Sequence, residues 1–574
     1  MSDDTHDAIE QGKRLIRTGA GTADSLTDRF AAWFERMTWR TPIHDRRLDG
    51  RHPVKLVAVP VDPLPGGHDV GEALLGGWMI AGGERHALDT LDFAALRAPT
   101  PFATYAHGFG WLRDLEAVGE RELTVPLAEA LTRRWLSAHA DRVSDPAWRP
   151  HIVARRLIAW AFHAPLLLSS SDLVFRSRVL NGVARAARHL DRTADKAPAG
   201  AERVVAWTGT IVAGLLIPGG ETRLAIGEAG LQRALGAALF DDGGAVSRSP
   251  SALLDIMASL GLLRAAYDAR RLPLPEPIAQ ALTRMTPALL GTAMGDGGLA
   301  SWQGGLPIDP LTVNDVLMAS GAYGRPLRQS REWGYQRLAA GSAVLVMDAA
   351  PPPAAPVGDG GCASTLAIEF SDGAERLIVN CGGAGNGRRG ELAQALRTTA
   401  AHSTLVVADA NSTALHADGT LGRGVGQVEL ARQESELGSR IEAQHDGYAR
   451  RHGFQHQRTL LLASDGRELR GEDALLPAAS QPRRRHAEAM TPFSLRFHLG
   501  AGVEAVATAD GQAAMLRTPG GAFWQFRARA ERLTVEESLW CDPYGRIVPT
   551  QQIAIHGLSP AGGMTLSWVM KRAR

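Results

Sequence analysis

The sequence predicts two joined architectures: an all-α domain over residues 126–340 and an antiparallel β-sandwich over 341–574. Three observations predict it. Seven consecutive segments up to about residue 340 carry apolar residues at three- and four-residue spacing. Beyond that point the texture changes to short alternating segments separated by Asp-Gly or Gly-Gly turns. The length, 574 residues, exceeds one ordinary core, so two or three domains are expected.

The elements follow in order. Residues 1–125 form an N-terminal helix and a small mixed segment. Phe30, Trp33, Phe34 and Met37 recur at helical spacing within Leu26–Arg40, a stripe that docks on a core or on a membrane surface. VKLVAVPV (54–61) reads as extended chain, and a Gly-rich stretch after it reads as turns between two strands of a small lobe. Ser171-Asp172 and Ser249-Pro250 are helix starts, a cap and a Pro near the first turn. Asn314-Asp315 reads as a further cap. Short loops between the helices predict antiparallel αα-hairpins. The sandwich opens with SAVLVMDA (342–349) and carries Asp-Gly pairs at Asp372-Gly373, Asp446-Gly447, Asp465-Gly466 and Asp510-Gly511.

Bulk properties narrow the function. Hydrophobic content of 45% and charged content of 21% are those of a soluble globular chain, and a net charge of +1 argues against a general nucleic-acid binder. Of the 62 basic residues only Lys13, Lys55, Lys196 and Lys571 are Lys. Arg pairs bidentately with carboxylate and sulfate-like groups, which suits an acidic ligand; Arg-rich codon usage gives the same count. Cys362, Cys381 and Cys541 are widely spaced and form no CxxC. The acidic start MSDDTHDAIEQGKR lacks a secretory pattern, and no apolar run reaches spanning length, so cytoplasm is the default expectation.

The chemistry concentrates in Arg388–Gly419, RRGELAQALRTTAAHSTLVVADANSTALHADG. Alternation places His402 and Thr404 on one face of a short strand, Ser403 and Leu405 on the other. Two readings of His402 stay open: a functional edge, or a buried His hydrogen-bonded within a sandwich. In GDGGLASWQGG, Trp302 could stack on a sugar ring with Gln303 beside it, or the loop could pack on the sandwich. Arg155-Arg156 reads as a salt-bridged element, and His486 and His498 read as structural.

RTTAAHSTLVVADANS at the edge of a sandwich that follows a helical domain resembles the heparinase II/III family of polysaccharide lyases. DPAWRPHIVARRLIAW (145–160), DDGGAVSRSP (241–250) and MGDGGLASWQGG (294–305) extend the resemblance over most of the chain. The resemblance implies an incomplete (α/α) toroid joined to the antiparallel sandwich, with an acidic polysaccharide in the cleft between them. It implies β-elimination at a uronic acid, with a base at C5, an acid at O4 and a group that neutralises the carboxylate. Carried onto this sequence, His402 is catalytic base or metal ligand and His445 a ligand, with Asp418 or Asp409 supplying a carboxylate. These would hold one divalent metal, zinc or calcium. Tyr448 is a proton-transfer candidate, Arg248 and Arg397 contact the acidic sugar, and Trp302, Gln303 and Asn411 are further sugar contacts. The family is associated with the bacterial envelope, and no nucleic-acid partner or transmembrane segment is expected.

Two positions depart from the family pattern. Its toroid Asn-His pair falls here on Ala206-Trp207-Thr208-Gly209-Thr210, and its Tyr after Ser-Pro falls on Ser251-Ala252-Leu253. The second functional reading is therefore a glycan-binding or envelope-assembly protein that keeps the fold without the chemistry.

Overall fold

Helix periodicity and strand alternation each build one half of the molecule. The computed structural model describes residues 9, 12–17, 42–53, 55–354, 360–383, 390–479, 490–529 and 532–573. The expected helix Leu26–Arg40 and His486 lie outside them.

The helical half is an (α/α) toroid of antiparallel helices. At its centre runs Ala201–Leu216, buried at every position from Val204 to Leu216. It packs on Pro150–Phe162, Glu221–Ala238 and Pro250–Ala269. A helix that is apolar all round belongs in a core, and AWTGTIVAGLL supplies that surface. Gly209 lets this helix close on its neighbour, since a Cβ there would sit 2.5 Å from the Ala154 Cβ. The two expected helix starts hold: Asp172 accepts from the amides of Val174 and Phe175, and Ser249 Oγ accepts from Ala252 N. Asn314-Asp315 is not a cap. It lies inside Pro310–Ser320, which Asp309 caps by accepting from Thr312 N at 2.9 Å. The helical core also takes in Phe102, Trp111 and Leu115. Arg155 pairs with Asp255 at 2.6 Å. Arg156 is buried on the Trp135 ring and donates to the carbonyls of His107 and Ala147. No helix among the described residues is long and apolar enough to cross a membrane.

The other half is an antiparallel sandwich. Among the described residues its larger sheet has nine strands, in the spatial order Gly12–Arg17, Gln427–Ser435, Gly438–His445, Phe454–Ala463, Glu468–Pro477, Met564–Arg572, Phe523–Ala528, Ala513–Arg517, Glu504–Ala507. The facing sheet runs Arg532–Cys541, Ile547–Ser559, Thr491–Leu499, Glu375–Val379, Ile368–Asp372, Ala343–Asp348, Tyr335–Ala340, with Leu405–Val407 paired to Thr491–Leu499. Strand Phe454–Ala463 alternates buried and half-buried along its whole length, as one face on a core requires. The edge strand Gly12–Arg17 comes from the far end of the chain and pairs antiparallel with Gln427–Ser435.

Val54 lies outside the described residues; residues 55–61 join no sheet among those described, and a hairpin of Trp78–Ala81 and Glu84–Ala87 follows them. An ionic clasp fixes this strap to the toroid. His163 is buried with both ring nitrogens against carboxylates, Nε2 3.2 Å from Asp62 Oδ2 and Nδ1 on Glu116 Oε2. Arg113 Nε donates to the same Asp62 oxygen at 2.7 Å. Burial alone would lower the pKa of His163; the bonds to Asp62 and Glu116 outweigh it, and the net shift is upward. A folded pKa above the unfolded value of about 6.5 stabilises the fold at lower pH and is lost as pH rises through the folded value. The melting temperature is therefore expected to fall as the pH rises above about 6.5, and to fall less in His163→Gln. Equal slopes in the two proteins would show that the imidazolium does not hold the strap.

Candidate functional site

The two halves meet where strand Ala343–Asp348 ends. All six of its residues are buried, so Asp348 carries a carboxylate into the interior, which is tolerable only with partners. Four arrive. Arg248, in the left-handed region at φ 57°, precedes the helix start Ser249-Pro250 and sends Nη2 to Asp348 Oδ1 at 2.7 Å. Its remaining donors reach the carbonyls of Trp333, Ala350 and Pro351. Gln303, also left-handed at φ 50°, donates from Nε2 to Asp348 Oδ2 at 3.0 Å and to Ser364 Oγ, while its Oε1 accepts from Cys362 N. Ser364 Oγ donates to Asp348 Oδ2 at 2.7 Å. Tyr335 closes the group by donating its hydroxyl to Arg248 O at 2.6 Å. Beside it, Glu369 accepts from Ser301 N and from both amides of Asn380. Burial pushes its carboxyl up to about 7.

His402 lies against this clasp. It leaves the turn Thr399–Ala401 with extended backbone. Its Nδ1 donates to Thr398 O at 2.7 Å, which fixes the tautomer and leaves Nε2 with its lone pair. Nε2 has no hydrogen-bond partner among the described residues. Burial lowers the pKa of His402, opposed by the Thr398 carbonyl and by the charge of Asp348, so the ring is neutral near pH 7. The backbone on either side is held. His498 Nε2 donates to Ala400 O at 2.9 Å. Ser403 donates its amide to Asn380 Oδ1 and accepts from Arg458 Nη1 at its carbonyl.

A second buried chain runs behind this strand in one direction. Gly447 N donates to His445 Nδ1 at 3.0 Å, His445 Nε2 to His456 Nδ1 at 3.3 Å, and His456 Nε2 to Asp473 Oδ1 at 2.8 Å. Arg458 Nε and Trp568 Nε1 also donate to Asp473. Burial would raise the pKa of Asp473, but Arg458 and His456 reverse it and hold the carboxyl below its usual range.

This arrangement does not fit the metal set His402, His445 and Asp418. The His445 lone pair is taken by the Gly447 amide. Asp418 is exposed and caps its own turn through Thr420. Among the described residues, the ligand atoms of three such groups come within 4.8 Å of one another only at exposed His68, Asp69 and Glu72. No chemical step is derived through a metal.

Several other candidates are corrected. Tyr448 is 1% exposed and donates its hydroxyl to Leu405 O at 2.9 Å, so it anchors the short strand; burial raises its pKa further. Arg248 and Gln303 are locked in the clasp. Trp302 is 0% exposed and packs on Tyr335, unavailable to a sugar. Asn411 Oδ1 accepts from Thr399 N. Arg397 holds Gly361 O and Gly419 O, yet keeps Nη2 buried without a partner among the described residues. The structure thus brings His402, Arg248 and Gln303 to one junction and leaves His445, Tyr448 and Asp418 outside it. Sequence reasoning missed Asp348, Glu369 and Ser364. The available signal was an acid closing the apolar run AVLVM.

Residues 322–569 match the family described as Heparinase II/III-like, C-terminal. Over the whole length, the chain is 29% identical to FtsZ-localized protein C of Caulobacter vibrioides, covering 95% of each. Among solved structures, Heparinase III superposes with a TM-score of 0.66 at 12% identity, covering 97% of this chain and 92% of that one. A heparan sulfate lyase from Pedobacter heparinus superposes at 0.55 and 14% identity, covering 95% and 88%. The toroid-plus-sandwich fold and the family resemblance read from the sequence are both borne out.

Proposed function

From a chain whose residues 322–569 belong to the heparinase II/III-like C-terminal family, we propose a lyase-like protein that holds an acidic glycan at the toroid–sandwich junction without cleaving it. The observation that carries this reading is the state of the side chains an elimination would need. Arg248 and Gln303 spend their donors inside the fold, and Tyr448 donates its hydroxyl to a strand carbonyl. The stretch nearest to the family's toroid Asn-His pair, Ala206–Thr210, holds neither residue and is packed in the central helix. That leaves His402 Nε2 and Arg397 Nη2, both buried and without a partner among the described residues, as groups a uronate would meet once the junction opens. Elimination requires a base, an acid and a carboxylate neutraliser together. A relative named for its localisation with FtsZ supports an envelope-assembly role for such binding.

A second reading, supported by the open Nε2 of neutral His402, is a lyase in which His402 takes the C5 proton. The test is ultraviolet absorbance of the unsaturated uronate, with heparan sulfate, alginate, hyaluronan and a bacterial acidic exopolysaccharide as substrates. The expected result is no absorbance rise, together with binding of one polymer that weakens in His402→Ala. A rise that His402→Ala abolishes makes the chain a lyase. Neither cleavage nor binding removes the glycan from both readings.

A further inference from the structure

On the outer side of the toroid, away from the clasp, a pocket of about 230 Å³ opens between the strap and two helices. Arg51, His52, Arg188 and Arg223 line it, and Ile217 and Pro218 form part of an apolar wall. The nearby acids are already neutralised. Asp49 pairs with Arg185, and Asp191 takes both ends of Arg223 at 2.7 and 2.9 Å. Arg188 spends Nε on Leu48 O at 2.6 Å and Nη1 on Arg51 O at 3.0 Å. Its Nη2 is buried and has no partner among the described residues. The Arg51 side chain has no acidic partner among them either. Arg188 and Arg51 thus line one pocket, neither with an ion-pair partner among the described residues. Burial and the neighbouring Arg185 and Arg223 press the pKa of Arg188 down, opposed by Asp49.

We propose that this pocket binds a phosphate-bearing small molecule, with its dianionic group between Arg188 and Arg51 and its organic body on Ile217 and Pro218. Two unpaired guanidinium groups match a phosphomonoester of charge about −1.5 to −2. A carboxylate would leave one of them unpaired. The pocket exceeds the size of inorganic phosphate, and the apolar wall gives the remainder of the ligand a surface. Phosphate on a free metabolite and phosphate on a lipid headgroup share this chemistry.

Calorimetry on the full chain with glycerol 3-phosphate, and flotation with phosphatidic acid vesicles, separate the two sources. Arg188→Gln and Arg51→Ala are each expected to weaken the binding about tenfold, the scale of one lost charge-assisted contact. Among the described residues the Arg51 side chain makes no hydrogen bond or ion pair, so its variant keeps the test valid if Arg188→Gln misfolds. Loss with glycerol 3-phosphate and unchanged flotation assigns a soluble phosphorylated ligand. Loss of flotation alone assigns a headgroup. Binding of both probes that is unchanged in both variants, or no binding of either, overturns the proposal.

Discussion

Asp348→Ala is expected to lower the unfolding free energy by about 3–5 kcal/mol, the cost of stranding one member of a buried ion pair. The carboxylate is 0% exposed and accepts from Arg248, Gln303 and Ser364, so its removal leaves a guanidinium, an amide and a hydroxyl without their acceptor in a dry interior. Arg248 comes from the helical half and Asp348 from the sandwich, so the loss falls on the joint between them. Urea denaturation followed by intrinsic fluorescence checks it, and two resolved transitions in the variant would be the sharper outcome. The double replacement Arg248→Met with Asp348→Leu should recover part of the loss, because apolar pairs of similar volume often substitute for buried ion pairs. A cost below about 1 kcal/mol for Asp348→Ala would mean that the glycine contacts of Gly304 with Gly360 and Gly383 hold the joint instead.

Asp473→Ala is expected to cost a similar amount, about 3–5 kcal/mol, and to act on the candidate site from behind. Asp473 accepts from His456, Arg458 and Trp568, and Arg458 in turn holds the carbonyls of Leu366 and Ser403. Releasing Arg458 frees the backbone next to His402. The imidazole resonance of His402 should therefore move and broaden in the variant, a change that simple loss of stability would not produce in the folded fraction. An unshifted resonance would separate the two networks. The pH behaviour has a definite sign. The folded pKa of Asp473 lies below its unfolded value, so its contribution is present above about pH 4 and is lost only as the pH falls through the folded value. Mild acid should leave this network intact.

Much of the architecture was legible because burial and periodicity are local properties. AERVVAWTGTIVAGLL can only be a helix inside a core, and FQHQRTLLLA alternates like a half-buried strand. The candidate site was less legible, because the fate of a polar side chain depends on partners far away in sequence. Arg248 and Asp348 lie 100 residues apart, and nothing near SRSP tells a structural guanidinium from a sugar-binding one. Tyr448 stands in a turn-like HDGY, yet the hydroxyl finds a carbonyl 43 positions earlier. His445 resembles a ligand until its lone pair is found on the Gly447 amide. His402 is where the two levels agree: its neighbours forecast a strand edge, and the ring keeps one free nitrogen there.

The pairing of Gly12–Arg17 with Gln427–Ser435 sets an order for biosynthesis. Roughly 410 residues of chain must follow the first strand before its partner exists, a delay of roughly 20–80 s at translation rates of about 5–20 residues per second. Throughout that interval Gly12–Arg17 has no ladder to join, while the toroid, built from contacts nearer in sequence, is free to assemble behind it. Once Gln427–Ser435 is made, its outer side is covered by a segment synthesised long before it, and the sheet ends on Gly12–Arg17.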